Sequence, residues 1–154
     1  MVLLRRARDR ATLGAASPAP TARFQPLSEP PLIAIVDDDA AMREALDDLL
    51  QVAGLSSRTY AGAAAFLDDH APGRFDLLIT DLRMPQMDGV ELLRRLAATD
   101  PGLPAIVVTS DSPSCGQAIE AGALACLGKP VDDDALLLLI DVVLGRERRE
   151  RPEH

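Results

Sequence analysis

Residues 77–89 have the sequence LLITDLRMPQMDG, and this stretch decides the fold. Its first three residues are apolar, which is typical of a strand buried on both faces of a parallel sheet. Asp81 follows where that strand ends. Because an unpaired charge is costly to bury, we expect Asp81 to lie in a polar crevice at the carboxyl edge of the sheet, where open α/β sheets bind ligands. The Met-Pro and Asp-Gly pairs favour turns, and helical spacing resumes at residues 90–96.

The alternation of strand and helix continues along the chain. Apolar runs predict strands at residues 32–36, 77–79, 105–109 and 124–127, and residues 56–60 predict a weaker edge strand. Helical spacing of apolar residues predicts helices at residues 40–53, 61–69, 90–96, 117–121 and 134–144. Strands that alternate with helices are joined by right-handed crossovers, which give a parallel sheet covered by helices on both faces. The sequence therefore predicts an α/β domain, a three-layer sandwich of five strand-helix units.

Composition divides the 154-residue chain into three parts. Residues 1–30 are rich in Arg, Ala and Pro without periodicity, which is typical of a disordered extension. This Arg-rich start also resembles an organelle transit sequence, although a solvated leader or an upstream start codon is favoured, so residues 1–30 need not belong to the native protein. Residues 31–144 form the predicted domain. Residues 145–154 form a charged, aperiodic tail, so we expect no DNA-binding or enzymatic output domain after residue 144.

Charge is distributed unevenly along the chain. The net charge is −8, and the predicted domain carries 7 basic against 19 acidic side chains. Such a domain repels nucleic acid and anionic membranes, which bind clustered Lys and Arg. The chain also lacks an apolar run near the roughly 18 residues of a membrane-spanning helix. We therefore expect a cytoplasmic protein that binds neither DNA nor membrane and whose acidic domain can concentrate a divalent cation.

The two cysteines, Cys115 and Cys126, indicate no special chemistry. The chain has no secretory signal, and thiols of cytosolic proteins are normally reduced. Neither cysteine belongs to a CxxC pair or has a histidine neighbour. We expect two free thiols that are small, buried or half-buried side chains.

Polar side chains follow four of the predicted strands. All strands of a parallel sheet point the same way, so residues at their carboxyl ends converge on one rim although they are far apart in sequence. Any one of them alone would be weak evidence, since an Asp after a strand is usually a helix cap and a Lys a solvated charge. Together they indicate a functional site. The converging residues are Asp37, Asp38, Asp81, Thr109 and Lys129.

The chemistry of these side chains suits phosphoryl transfer to a carboxylate. Carboxylates crowded on one rim repel each other unless a hard cation neutralises them, and oxygen-only ligation suits Mg²⁺. Lys129 supplies a positive charge and Thr109 a hydroxyl donor, which together match a phosphoryl group on a carboxylate nucleophile. Asp81 is the predicted nucleophile because it lies on the central strand.

The chain resembles the receiver domain of bacterial two-component response regulators. The resemblance covers residues 32–144 and rests on five separated motifs that occur in order. They are Val36-Asp37-Asp38-Asp39, residues 81–89, Val108-Thr109-Ser110, Ala121-Gly122-Ala123 and Lys129-Pro130. It implies a flavodoxin-like (βα)5 fold with the strand order 2-1-3-4-5.

The same resemblance implies how the site functions. A histidine kinase or phosphotransfer protein would phosphorylate Asp81 in a phosphorelay, and Thr109 and Lys129 would bind the phosphoryl oxygens. Mg²⁺ would be held, directly or through water, by Asp37, Asp38, Asp81 and the backbone carbonyl of Arg83. The Lys129-Pro130 peptide bond is expected to be cis. Such a phosphoprotein is a signal-transduction switch and not an enzyme in its own right, although it takes part in its own phosphorylation and dephosphorylation.

The chain departs from the receiver pattern at two places. Receivers usually carry an aromatic residue three positions before the lysine, where this chain has Cys126. The stretch between Thr109 and Lys129 is also slightly short, and its Ser, Pro and Gly residues predict a short or loose fourth helix. Both departures concern the surface that signals onward and leave the phosphorylation site intact.

Rival functions belong to other classes. An aspartyl-phosphate hydrolase would need a second Asp two residues after the nucleophile, where this chain has Arg83. A phosphorylation-independent interaction module would be expected to lack one of the acidic pair, the nucleophile or the lysine, and all are present. The sequence does not identify the kinase, the downstream target or the oligomeric state.

Two further predictions concern regulation. Arg83 and Asp111, two residues beyond the nucleophile and the threonine, could pair across the path of the hydrolytic water and set the lifetime of the phosphorylated state. In the last helix Leu136, Leu139, Ile140 and Val143 suffice to cover the sheet, which leaves Leu138 and Val142 exposed. Because exposed apolar clusters mark interfaces, we expect this helix to dock a downstream protein or a second copy of the chain.

Overall fold

A computed structural model describes residues 2–4 and 31–145 of the chain. The strands are β1 (Val2–Leu4), β2 (Leu32–Val36), β3 (Ser56–Tyr60), β4 (Leu77–Thr80), β5 (Ala105–Thr109) and β6 (Ala125–Gly128). The helices are α1 (Ala40–Val52), α2 (Ala63–Asp69), α3 (Gly89–Thr99), α4 (Cys115–Glu120) and α5 (Asp133–Leu144), with a 3₁₀ turn at Ser112–Ser114 before α4. The five predicted strands and five predicted helices are therefore present, with ends shifted by a few residues.

The strands form one sheet in the order β1-β6-β5-β4-β2-β3. Strands β2 to β6 pair in parallel, and counted alone they have the order 2-1-3-4-5. The predicted flavodoxin-like α/β fold is confirmed. The order brings β4 between β2 and β5, so the residues that follow these three strands are neighbours at one rim.

Strand β1 was not predicted from the sequence. It pairs antiparallel with the edge strand β6, with Leu3 opposite Cys126. The prediction that residues 1–30 are disordered is therefore wrong for Val2–Leu4, because edge pairing uses backbone groups and needs no side-chain periodicity. The rest of that segment and the predicted tail beyond residue 145 lie outside the described residues.

The core has one layer on each side of the sheet. Alternate residues of β2 face opposite layers, as the strand period of two requires: Ala34 and Val36 pack with α2, α3 and α4, whereas Ile33 and Ile35 pack with α1 and α5. Helices cover both faces, so the middle strands β4 and β5 are buried along their whole length and are apolar except for a threonine at the end of each. No helix in the described part of the chain is long and apolar enough to cross a bilayer.

The two cysteines form a disulfide bond in the structure, so the prediction of two free thiols is wrong. Cys115 begins α4 and Cys126 lies in β6, and their Cα atoms are 5.7 Å apart. This separation is within the usual range for a disulfide, and it arises because α4 packs directly on β6. The predicted burial is correct, since both side chains are almost fully buried.

Helix α5 buries the face that its spacing predicts. Leu136 and Ile140 are fully buried against the sheet, whereas Leu138 and Val142 are 59% and 56% exposed. Asp132 caps the helix by accepting from the backbone N–H of Asp134. The exposure of the two apolar side chains is confirmed, and their use in docking stays a prediction.

Candidate functional site

Asp81 lies directly after the central strand β4 and is buried. Its backbone N–H donates to the carbonyl of Val36 on the neighbouring strand (3.1 Å), which extends the sheet to this residue. Its carboxylate Oδ1 accepts from the backbone N–H of Leu82 at 2.6 Å, while Oδ2 faces Lys129. The chain that follows Asp81 therefore orients its carboxylate.

Gly89 lets helix α3 begin directly behind Asp81. A Cβ atom at this position would lie 2.4 Å from the backbone oxygen of Asp81 and 2.9 Å from the Cα of Leu82, which is closer than real Cβ contacts. The N–H of Gly89 donates to the carbonyl of Leu82 (2.9 Å), and Asp88 caps the helix. The Asp-Gly pair was interpreted as a turn signal, but its glycine is required by this close approach.

Asp37 and Asp38 follow strand β2, next to Asp81. The buried Asp37 carboxylate accepts from the N–H of Asp39 (2.9 Å), and the Asp37 carbonyl accepts from the Arg43 guanidinium (2.8 Å). Asp39 itself caps α1 by accepting from the N–H of Ala41. Arg43 is a positioning residue that sequence reasoning missed, because only the winding of α1 brings its side chain back over the strand end.

Lys129 joins the two buried carboxylates. Its Nζ donates to Oδ2 of Asp37 at 3.1 Å and to Oδ2 of Asp81 at 3.0 Å. It is the only lysine in the sequence. The Lys129-Pro130 peptide bond is cis, as predicted. A single ammonium group thus bridges two carboxylates that come from different strands, and its one positive charge offsets only part of theirs.

Burial and hydrogen bonding have opposite effects on the pKa of Asp37 and on that of Lys129, and a different effect prevails at each residue. Burial raises the pKa of Asp37 above its ordinary value, because it outweighs the lowering by the hydrogen bonds from Asp39 and Lys129, and repulsion by Asp81 adds to the rise. Burial acts to lower the pKa of Lys129, but its hydrogen bonds and charge interactions with Asp81 and Asp37 together raise it. Lys129 therefore stays charged, but its single positive charge does not balance the negative charges of the two carboxylates.

The carboxylates form a cluster that suits a hard cation. One oxygen each from Asp37, Asp38 and Asp81 lie within 4.8 Å of one another, and Asp38 is exposed where the other two are buried. Oxygen ligands of this kind, open to water on one side, are those that Mg²⁺ prefers. These three side chains therefore fit a magnesium site, and the carbonyl of Arg83 as a further ligand stays a prediction.

Thr109 is fully buried at the end of β5. Its hydroxyl oxygen accepts from the N–H of Asp111 (3.0 Å), and its carbonyl accepts from the N–H of Lys129 (2.8 Å). The structure thus brings Asp37, Asp81 and Lys129 into direct contact. It holds Thr109 beside them through the backbone.

Arg83 and Asp111 form the predicted ion pair. The Arg83 Nε donates to Oδ2 of Asp111 at 2.9 Å, and a second guanidinium nitrogen donates to the same oxygen. A hydrogen bond from Ser114, followed by those from Arg83, lowers the pKa of Asp111, and the pKa of Arg83 is raised. The pair connects the loop after β4 with the loop after β5. Whether it controls the lifetime of a phosphorylated state stays a prediction.

The chain is similar in sequence to known response regulators. It matches the response regulator receiver domain model over residues 33–141. It is 40% identical over 111 residues to the transcriptional regulatory protein FixJ of Bradyrhizobium diazoefficiens, with 71% of this chain and 54% of FixJ covered. It is 36% identical over 119 residues to the DNA-binding transcriptional regulator NtrC of Klebsiella pneumoniae, with 76% of this chain and 25% of NtrC covered. The chain spans about half or less of these curated relatives.

The fold is also similar to that of solved receiver domains. A CheY-like response regulator receiver domain protein from Methanospirillum hungatei is 31% identical, with a TM-score of 0.71 over 80% of this chain and 99% of that one. Sequence and fold therefore agree on one family. The chain belongs to the response regulator receiver domain family, whose members are signalling switches of two-component systems.

Proposed function

We propose that the chain is a phosphoacceptor switch in which Asp81 takes a phosphoryl group from the phosphohistidine of a histidine kinase or phosphotransfer protein. The observation that carries the proposal is the contact of Lys129 with both Asp37 and Asp81. One lysine shared by two buried carboxylates leaves an excess of negative charge, which a bound cation would balance. Transfer of a phosphoryl group to Asp81 would then change the contacts that the lysine makes. Phosphorylation changes the surface that is offered to a downstream protein.

The transfer needs one nucleophile and groups that neutralise the phosphoryl oxygens. An oxygen of Asp81 forms the new bond to phosphorus while the bond from phosphorus to the donor nitrogen breaks, and the imidazole leaves with the bonding electrons. Lys129 then pairs with a phosphoryl oxygen instead of the carboxylate. The Thr109 hydroxyl donates a hydrogen bond to a second phosphoryl oxygen.

Magnesium is the cofactor that the carboxylates favour. When bound, it supplies positive charge that neutralises the phosphoryl oxygens as they approach Asp81. Asp37 and Asp38 would hold it together with Asp81 and the carbonyl of Arg83. Asp38 is exposed to solvent, so water can supply further ligands. We therefore expect a modest affinity for Mg²⁺.

A hydrolase of aspartyl phosphates fits the site less well. That chemistry needs a general acid two residues after the nucleophile, and this position is Arg83. Its pKa is raised by the hydrogen bond with Asp111, so it cannot give up a proton at neutral pH. The proposed role is therefore that of a switch and not an independent enzyme.

The partners follow from the exposed surface and the charge. The domain is acidic, so we propose a cytoplasmic protein that signals through protein contacts and not through DNA or membrane. Leu138 and Val142 would form the contact with a downstream protein or a second copy of the chain. Leu138→Glu with Val142→Lys should abolish dimerisation or partner capture, whereas Val52→Lys, which changes an exposed valine of α1, should not. Unfolding of the double variant would mean that the two exposed side chains stabilise the fold, and the docking proposal would be wrong.

The proposal is tested by intact mass spectrometry after incubation with acetyl phosphate and Mg²⁺. Wild type should gain one phosphoryl group, and a chelator should prevent the gain. Asp81→Asn should gain none, whereas Asp88→Asn, a matched change at a carboxylate that caps α3 and makes no hydrogen bond to Lys129, should gain one phosphoryl group as wild type does. A phosphoryl group that persists on Asp81→Asn would remove Asp81 from the role.

A further inference from the structure

The disulfide joins two elements that adjoin residues of the candidate site. Cys115 begins α4, directly after the 3₁₀ turn that follows Asp111 in the segment between Thr109, the last residue of β5, and α4. Cys126 lies in β6, three residues before Lys129. The bridge is thus a covalent link between the loop after β5 and the strand that presents the lysine.

The loop is held to Cys115 by a short chain of hydrogen bonds. The Thr109 hydroxyl accepts from the N–H of Asp111, and the Asp111 carboxylate accepts from the Ser114 hydroxyl (2.6 Å). The N–H of Ser114 also donates to the carbonyl of Asp111 (2.9 Å), and Cys115 is the next residue. The position of Asp111, which pairs with Arg83, therefore depends on where α4 starts.

Few interactions within helix α4 itself hold this helix in place. It has six residues, contains Gly116 and follows a 3₁₀ turn of Ser, Pro and Ser. Glycine disfavours helix, and a helix this short gains little from its own hydrogen bonds. Without the bridge, α4 would be held by the packing of a few side chains such as Ala118, so reduction should loosen its first turn.

We propose that Cys115 and Cys126 form a reversible redox site that exchanges with low-molecular-weight disulfides, and that the bridged state slows the loss of the phosphoryl group from Asp81. This rests on the proposed function, because a chain phosphorylated in the cytosol meets a pool of small thiols. Disulfides in that compartment are usually transient, catalytic or redox-sensing. Both sulfurs are buried, so exchange requires the first turn of α4 to open.

The protein disulfide forms by thiol–disulfide exchange in two steps. The Cys115 thiolate attacks one sulfur of the small disulfide, which gives a mixed disulfide and one small thiolate. The Cys126 thiolate then attacks the Cys115 sulfur and releases the second small thiolate. The two protons lost by the protein thiols are taken up by the small thiols, and two electrons pass from the protein dithiol to the small disulfide.

The test begins with full-length protein equilibrated in mixtures of glutathione and glutathione disulfide. Alkylation of free thiols under denaturing conditions, followed by intact mass, gives the bridged fraction. The bridge should form completely at the oxidising end of the series and be lost at the reducing end. Thiols that remain free at every ratio, or a bridge that persists at every ratio, would overturn the proposal.

The second arm measures the phosphorylated state in each redox form. After acetyl phosphate is removed, the phosphoryl group should leave the reduced form faster, by roughly threefold or more. Cys115→Ser with Cys126→Ser should decay at the reduced rate in both buffers, which controls for effects of the reagents. Hydrogen exchange of the amides of residues 110–120, measured on unphosphorylated wild type, should be faster in the reduced form and needs no variant.

The outcomes separate the two proposals. Equal decay and equal amide exchange in the two forms, with Asp81 phosphorylated in both, would overturn the redox proposal alone. A chain that takes up no phosphoryl group in either form would overturn the proposed function and, with it, the effect on phosphoryl loss.

Discussion

Replacement of Lys129 by methionine tests the electrostatics of the site. Methionine has a similar length but no charge, so it leaves Asp37 and Asp81 without their shared cation in the metal-free protein. The Lys129 side chain is 18% exposed, and those of Asp37 and Asp81 are 4% and 8% exposed. Water can therefore replace the lost contacts only in part.

The expected loss of stability is about 3 kcal/mol. At the 3.0 Å contact with Asp81 and an effective dielectric constant of about 20, Coulomb's law gives roughly 5 kcal/mol, much of which is offset by desolvation. Breaking buried ion pairs in other proteins costs about 3 to 5 kcal/mol, and the partial exposure of Lys129 favours the lower end. For a domain of this size the midpoint of thermal unfolding should fall by about 12 °C.

The loss should depend on pH. Burial already raises the pKa of Asp37 in the folded protein above the unfolded value of 3.8, and removal of Lys129 should raise it further. A carboxyl group with a raised folded pKa contributes stability when protonated and loses it as the pH rises through that pKa. The difference between Lys129→Met and wild type should thus be smaller at about pH 4.5 than at about pH 8.

The assay is thermal unfolding followed by circular dichroism, with a chelator and then with Mg²⁺. Mg²⁺ should raise the midpoint of Lys129→Met more than that of wild type, because the lysine no longer competes for the same oxygens. Arg95→Met is the matched control, since it removes one positive charge from an exposed pair with Glu91 and should shift the midpoint by about 2 °C or less. A Lys129→Met midpoint equal to that of Arg95→Met would refute the shared-cation account.

Three other predictions concern the surroundings of the site. Arg83→Ala and Asp111→Ala should each shorten the half-life of the phosphorylated state by roughly threefold, because their ion pair screens the phosphoryl group, and unchanged half-lives would make both residues ordinary surface charges. Asp38→Ala should weaken Mg²⁺ binding at least about tenfold in isothermal titration, and equal binding would remove Asp38 as a ligand. Gly89→Ala should lower the free energy of unfolding by about 2 to 3 kcal/mol through its clash with the Asp81 carbonyl, whereas Gly116→Ala, with open space around its Cβ position, should be neutral or stabilising by up to about 1 kcal/mol in chemical denaturation. Equal stabilities of the two glycine variants would refute the close approach at Gly89.

The convergence of the site was predictable because it follows from topology. Strands β2 and β5 have the same ends in the structure as in the apolar pattern of the sequence. Once these strands are parallel, Asp37, Asp81 and Lys129 must lie at one rim. The exposure of Leu138 and Val142 was predictable for a similar reason, since the helical period fixes which side chains face the sheet.

Other features depend on contacts between elements and have no local signature. The disulfide joins Cys115 and Cys126 only because α4 packs on β6. Strand β1 has three residues, too few for a period to be visible, and it is selected by an open sheet edge. Arg43 reaches the Asp37 carbonyl from the first turns of α1, so its role depends on side-chain direction and not on spacing.

The central claim is that Asp81 itself carries the phosphoryl group. Treatment of the phosphorylated protein with borohydride reduces an aspartyl phosphate to homoserine, and peptide sequencing by mass spectrometry then locates the altered residue. The account predicts homoserine at position 81 alone, and only after incubation with phosphodonor and Mg²⁺. Homoserine at Asp37, Asp38 or Asp88, with Asp81 unaltered, would contradict it.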